Sequence, residues 1–215
     1  MPTNNIIKLE TKRKNLCLRA VQGHFATPNR HINYFIDVAA QKSRLSEAKA
    51  VAEELCSYYY NNTVVDTILC LDGTEVIGTL LAEELTEASF MNMNAHQSIY
   101  VVTPETTGGS QLLFRDNTVP MIEGKNVMIL AVSVSSGKTV VNAVEAIKYY
   151  GGNVSAVSAI FSGADNLDGI PVRSCFHTGD LEGYGIFRPG ECPMCKAGKP
   201  LEALVNCYGF SKLGK

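Results

Sequence analysis

One junction in the sequence, residues 127–147, constrains the fold of this chain more than any other part. The apolar run 127–134 predicts a buried strand. A polar loop follows it, made of Ser135, Ser136, Gly137, Lys138 and Thr139. After the loop, Val140, Val144 and Ile147 recur on one helical face. A strand that passes through a tight loop into a helix is typical of an α/β fold with a parallel sheet.

The loop 135–139 also has the composition of an anion site. The first N–H groups of a helix have no intrahelical partner, and the helix dipole places positive potential there. Hydroxyl groups and a glycine let the backbone approach a phosphate closely. Two other interpretations are an ordinary strand-to-helix turn and a P-loop. The P-loop requires a glycine five residues before Gly137, where this chain has Val132.

The remaining pattern predicts alternating strands and helices. Strands are expected within 16–38, around a turn at 27–29, and at 63–71, 98–102, 154–161 and 172–177. Helices are expected at 44–60, with Ser43 as N-cap, and at 77–87. A further helix should begin near Lys138 and stop at Gly151-Gly152. Residues 103–120 are expected to form a long loop or hairpin, and the tail to be irregular. We therefore predict an α/β fold with a mostly parallel sheet flanked by helices, in which loops 72–76 and 135–139 face one crevice.

Composition narrows the partners and the compartment. The 215 residues carry a net charge of −2, and no apolar run approaches the ~20 residues that span a bilayer, so we expect neither nucleic acid nor a membrane as a partner. Seven cysteines, an odd number, favour a reducing compartment over a disulfide framework. With no apolar signal core at its start, the chain is expected to be cytoplasmic.

Four segments resemble the type I phosphoribosyltransferases, and the orotate phosphoribosyltransferases most closely. They are residues 23–37, 71–78, 127–139 and 191–201. The resemblance implies a single domain over 1–215, with a small N-terminal hood at about 1–40 and a Cys-containing tail at about 178–215. It also implies a homodimer.

The resemblance further assigns roles to individual residues. It implies that the 135–139 loop grips the phosphate of a phosphorylated ribose or nucleotide. Tyr34 and Phe35 would lie on the base side of the hood. The loop that meets pyrophosphate would comprise Asp72, Gly73, Thr74 and Glu75.

Several positions depart from the family pattern. The two adjacent acidic residues that hold the ribose hydroxyls in the family are Ala131 and Val132 here. The catalytic loop, matched by residues 103–110, contains no basic residue, and the position expected to hold an orotate-binding arginine is Ser162. Since preorganised charge at the leaving group is usually the largest catalytic term, we expect phosphoribosyl transfer to be weak or lost. Mg²⁺ is expected only if the protein is catalytically active.

Two alternatives remain open at this stage. One is an active phosphoribosyltransferase of nucleotide synthesis or salvage, in which Lys138 and Glu75 supply the missing charge. The other is a non-catalytic partner subunit that uses residues 103–120 as an interaction arm.

Cys192 and Cys195 are spaced as half of a zinc site. Cys175, His177 and Cys207 are candidates to complete it, but no standard finger spacing links them to the pair. The sequence therefore favours a reduced thiol pair over zinc. Structural or surface roles are expected for His24, His31 and His96.

Overall fold

The computed structural model describes residues 6–11, 13–87, 91–108 and 111–214. The strands are β1 (Ile6–Glu10), β2 (Cys17–Ala26), β3 (His31–Asp37), β4 (Thr67–Cys70), β5 (Tyr100–Val102), β6 (Glu105–Thr106), β7 (Leu112–Leu113), β8 (Asn126–Val134), β9 (Asn153–Ser162), β10 (Asn166–Leu167), β11 (Ile170–His177), β12 (Ile186–Phe187), β13 (Ala203–Asn206) and β14 (Gly209–Lys212). The helices are α1 (Ala39–Ser43), α2 (Leu45–Cys56), α3 (Glu75–Thr86), α4 (Lys138–Tyr149) and α5 (Pro193–Lys196). No described helix combines the length and the apolar character needed to cross a membrane.

The central sheet has the strand order β10-β11-β9-β8-β4-β5. Its neighbours pair in parallel except for the short edge strand β10. The predicted α/β fold with a mostly parallel sheet flanked by helices is therefore confirmed. Cys70 is in register with Leu130 in this parallel pair. The loops that follow β4 and β8 therefore lie at the same edge of the sheet.

Strand β8 is buried on both faces, as its continuous apolar sequence predicts. Met128, Leu130 and Val132 pack into the core formed with α2 and α3. Val127, Ile129 and Ala131 alternate with them and pack on the side of α4. This two-sided burial fixes the strand that carries the 135–139 loop.

The second sheet forms the hood, and it differs from the prediction. The order is β12-β3-β2-β13-β14, with β1 also paired to β2, so the C-terminal segment supplies three of its strands. The expectation of an irregular tail is wrong. Ala203 pairs in parallel with Phe25, and this contact between distant parts of the chain leaves no local signal in a four-residue strand.

Smaller differences concern ends and loops. Ser43 does not cap α2, because it closes α1 and donates its hydroxyl to the Ala39 carbonyl. The segment 103–120 contains the β6–β7 hairpin. Gly109 and Ser110 of this segment lie outside the described residues. The same holds for residues 1–5 and 12 of the predicted hood and for residue 215 of the tail. The stop after α4 is confirmed, since the Gly152 N–H donates to the Ile147 carbonyl.

Candidate functional site

The N-terminus of α4, the positive end of the helix dipole, faces a cavity with neither a capping side chain from the described residues nor an acid in its first turn. Gly137 is the N-cap residue, and among the described residues no side chain caps the helix and its first turn holds no acid. The free N–H groups of that turn therefore keep their hydrogen-bonding capacity. Ser135, Ser136, Lys138 and Thr139 are exposed around it. The predicted phosphate-binding residues thus lie together at one accessible helix end.

Gly137 is required by the conformation of this loop. Its φ of +72° lies in the left-handed region, which costs an L side chain roughly 1–2 kcal/mol. A Cβ atom built on it would also lie 2.6 Å from Cδ2 of Leu167. Glycine at this position therefore lets the backbone turn sharply from β8 into α4.

The neighbouring loop after β4 contributes only one of its four predicted residues to the cavity. Asp72 lines it, with a left-handed φ of +59°. Thr74 is buried and donates its hydroxyl to the carbonyls of Leu71 (2.9 Å) and Leu130 (3.1 Å), so it braces β4 against β8. Glu75 instead accepts a 3.3 Å hydrogen bond from Thr103. Gly73, Thr74 and Glu75 do not line the cavity, so their part in the predicted pyrophosphate loop stays a prediction.

Lys42, which the sequence analysis did not select, joins the β4 loop to the tail. Its Nζ donates to the carbonyl oxygens of Asp72 (2.9 Å) and Cys207 (2.8 Å) and lies 5.5 Å from the ring centroid of Tyr208. Burial raises the pKa of the Asp72 carboxyl, although the Cys207 thiol and Lys42 oppose that shift. The sequence carries no signal for this bridge, because it depends on how the tail folds back.

The cavity enclosed by these elements has a volume of about 430 Å³. This size falls in the range that small-molecule sites occupy. Among the described residues, the charged side chains that line the cavity are Arg30, Lys42, Lys138, Asp37 and Asp72. Three cations against two carboxylates, together with the α4 terminus, make the cavity suited to an anion.

The two predicted hood aromatics separate in the structure. Phe35 lines the cavity. Tyr34 does not, since it is buried, stacks on Tyr184 at 6.0 Å and donates its hydroxyl to the Glu182 carbonyl at 2.8 Å. The ring and the hydroxyl of Tyr34 both hold the hood together, and its base-side role stays a prediction. Tyr184 lines the cavity in its place.

The donor set does not fit a dedicated Mg²⁺ site. Mg²⁺ prefers carboxylate, phosphate and water oxygens. Ala131 and Val132 offer no such donor, and Asp37 and Asp72 are the carboxylates that the described residues bring to the cavity. Asp37 already accepts a hydrogen bond from the Ala39 N–H, and burial disfavours the ionised form of Asp72.

The cysteines of the tail meet partners that the sequence did not suggest. Cys192 and Cys195 lie with His24 and His31 in a group whose ligand atoms are all within 4.8 Å of one another. Cys175, His177 and Cys207, the predicted completing ligands, are not part of it. Those assignments were wrong because His24 and His31 reach the cysteines only through the pairing of the tail with the hood.

No profile of a known protein family matches the chain. Curated relatives do match it, among them two orotate phosphoribosyltransferases. The chain is 22% identical over 184 residues to an orotate phosphoribosyltransferase of Chlorobaculum parvum, covering 85% of this chain and 87% of that protein. It is 31% identical over 112 residues to an orotate phosphoribosyltransferase of Thermotoga maritima, covering 48% of this chain and 58% of that protein.

Solved structures share the fold. A Leishmania donovani UMP synthase matches with a TM-score of 0.55 and 17% identity over 75% of this chain, which spans 34% of that longer protein. An orotate phosphoribosyltransferase of Mycobacterium tuberculosis in complex with inorganic phosphate matches with a TM-score of 0.51 and 16% identity, covering 75% of this chain and 90% of that one. Together with the two curated relatives, these structures confirm a relationship to the type I phosphoribosyltransferases.

Proposed function

We propose that this chain, a relative of the type I phosphoribosyltransferases, binds a phosphorylated ribose or nucleotide with its phosphate at residues 135–139. The observation that carries the proposal is the uncapped N-terminus of α4, which opens with Lys138 into a cavity lined by more cations than carboxylates. Helix N-termini with free N–H groups bind phosphate by hydrogen bonds and by the dipole. The phosphate-bound mycobacterial relative supports this ligand class.

Binding is proposed to need no metal. The paired acids that the family pattern places in β8 are replaced by Ala131 and Val132, both buried and apolar. Without that pair, the phosphate meets N–H groups, hydroxyls and Lys138 directly. A divalent cation would add little, because the cavity offers few carboxylate oxygens to hold it.

Phosphoribosyl transfer is proposed to be weak or lost. The segment 103–114 contains no Lys, Arg or His that could meet a departing pyrophosphate. The nearest arginine along the chain, Arg115, is held by Glu105 through two hydrogen bonds of 2.7 and 2.8 Å. One missing donor to developing charge can cost roughly 10²–10³ in rate. The cavity therefore retains groups that bind phosphate, while the 103–114 segment supplies no cation for the leaving group.

Calorimetry with ribose 5-phosphate and with nucleotide monophosphates tests the binding proposal. We expect saturable binding in EDTA that changes little when Mg²⁺ is added. Binding of phosphoribosyl pyrophosphate that strictly requires Mg²⁺, with no binding of the simpler phosphates, would contradict it.

A pyrophosphate-release assay with a panel of bases tests the loss of transfer. We expect no base-dependent release above background. Base-dependent release that Lys138→Ala abolishes would instead support an active transferase in which this lysine replaces the missing charge. For assembly, we propose a homodimer, which sedimentation of the purified chain tests directly.

A further inference from the structure

Four side chains from distant parts of the chain bring their ligand atoms within 4.8 Å of one another. His24 lies on β2 and His31 on β3. Cys192 directly precedes the short helix α5, and Cys195 lies within it. His24 and Cys192 are fully buried, and Cys195 is exposed at the surface. We name these four residues the hood cluster.

Hydrogen bonding alone does not explain the hood cluster. His24 Nδ1 lies 2.8 Å from the Lys199 carbonyl, which can only accept, so Nδ1 carries the proton and Nε2 has a single lone pair. Three groups nevertheless approach that Nε2: His31 Nδ1 at 3.2 Å, Cys192 Sγ at 3.5 Å and Cys195 Sγ at 3.6 Å. One lone pair accepts one proton, so Nε2 can hydrogen-bond to only one of the three, although Cys195 Sγ also lies 3.3 Å from His31 Nδ1.

The same distances match a tetrahedron around a metal ion. With Zn–N bonds of about 2.05 Å and Zn–S bonds of about 2.3 Å, two nitrogens lie about 3.3 Å apart and a nitrogen and a sulfur about 3.6 Å apart. The observed values are 3.2 Å between the histidine nitrogens and 3.3–3.6 Å between nitrogen and sulfur. Four of the six distances among the ligand atoms thus fit a tetrahedral site, and the other two are no longer than 4.8 Å.

We propose that the hood cluster binds one zinc ion in a closed Cys2His2 site. Two thiolates with two imidazoles in tetrahedral spacing favour Zn²⁺ over the hard, oxygen-preferring cations. The hydrogen bond from His24 Nδ1 to Lys199 selects the tautomer whose Nε2 faces the metal, as is usual for metal-binding histidines. Four protein ligands leave no open position, so the role is structural.

The zinc would fasten the tail to the hood sheet. Beyond Cys195, the chain reaches Glu202, whose N–H donates to the His24 carbonyl at 2.8 Å. The β13–β14 hairpin then lines the cavity with Asn206, Cys207 and Tyr208. Zinc binding would thus fix the part of the cavity wall that the tail forms. This role does not depend on which ligand the cavity binds.

Elemental analysis of protein purified without added metal tests the site. We expect about one zinc ion per chain, and less than about a tenth of that in Cys195→Ser, whose exposed position limits damage to folding. The matched control is Cys17→Ser, a half-buried cysteine on β2 outside the hood cluster, which should keep its zinc. X-ray absorption of the wild type should show two sulfur and two nitrogen neighbours at about 2.3 and 2.0 Å.

Cobalt titration of chelator-treated wild type separates metal binding from effects of mutation on folding. A tetrahedral thiolate–cobalt spectrum at one equivalent would support the site. A folded wild type with neither zinc nor that spectrum would overturn it, as would a Cys192–Cys195 disulfide or a native iron content. None of these readouts depends on phosphate binding, so the two proposals fail separately.

Discussion

The side chain of Leu167 occupies the space that a Cβ atom on Gly137 would need, with Cδ2 of the leucine 2.6 Å from that position. Leu167 lies on the edge strand β10 and can turn aside, but the backbone at φ +72° cannot relax without moving the free N–H groups. The shape of the phosphate loop is therefore set by the backbone of one glycine.

Gly137→Val should weaken binding of ribose 5-phosphate at least about tenfold, since a β-branched residue strongly disfavours the left-handed region. Isothermal calorimetry measures the effect. The control is Gly124→Val, in a turn outside the cavity, where φ is a similar +68° and none of the described residues has an atom within 4 Å of the Cβ position. Equal affinities of wild type and Gly137→Val would refute the assignment of the loop.

Lys138→Ala should reduce affinity for a phosphate monoester about tenfold, because a charge-assisted hydrogen bond contributes roughly 1.5–3 kcal/mol. Lys148→Ala removes the same charge from the last turn of the same helix and should leave the affinity unchanged. Titrations at two salt concentrations check both variants. If the two substitutions weaken binding equally, only the net charge of the protein matters.

Tyr34→Phe should lower the free energy of unfolding by about 1 kcal/mol, because it removes the 2.8 Å hydrogen bond to the Glu182 carbonyl. Ligand affinity should not change, since Tyr34 does not line the cavity. Tyr149→Phe, at a position 82% exposed, is the control and should change neither quantity. Urea unfolding measures the stability, and weaker nucleotide binding by Tyr34→Phe would restore a role for this residue at the base.

Glu47→Gln should cost roughly 2 kcal/mol of stability at neutral pH. Arg19 holds Glu47 through two hydrogen bonds of 2.8 and 2.9 Å, and this pair lowers the pKa of the buried carboxyl. A lowered folded-state pKa stabilises the protein above the unfolded pKa of about 4.3, and that stability is lost as the pH falls through the folded value.

The difference between wild type and Glu47→Gln should therefore be constant near neutrality and shrink below about pH 4.3. Glu105→Gln breaks an equally bidentate pair with Arg115, but both side chains are at least half exposed, so its cost should stay below about 1 kcal/mol. Unfolding followed across the pH range compares the two. A difference that persists undiminished in acid would show that Glu47 acts through packing alone.

The parts of the fold that the sequence could predict are those with local signals. The apolar run of β8, the glycines after α4 and the periodicity of α2 each act within one element, and each prediction of an element there is confirmed. The hood sheet could not be predicted in this way, because it depends on the pairing of Phe25 with Ala203, which are far apart in the chain. Strand β13 has only four residues, which is too short for a recognisable sequence pattern.

The same limit applied to the site. The side-by-side placement of loops 72–76 and 135–139 follows from the parallel order of β4 and β8, which a βαβ pattern predicts. The spacing of Cys192 and Cys195 indicates half of the hood cluster. Its two histidines and Lys42 depend on the return of the tail, so no spacing in the sequence indicates them. The bracing role of Thr74 was also missed, because a threonine in a loop gives no sign that its hydroxyl donates to a carbonyl of β8.

A crystal structure of the protein with a nucleotide monophosphate, grown with a chelator that removes free Mg²⁺, tests phosphate binding most directly. Phosphate density should lie within about 3 Å of the backbone nitrogens that open α4, beside Ser135, Ser136 and Thr139. Well-ordered protein density with the phosphate bound elsewhere, or with no ligand at saturating concentration, would contradict the proposed site.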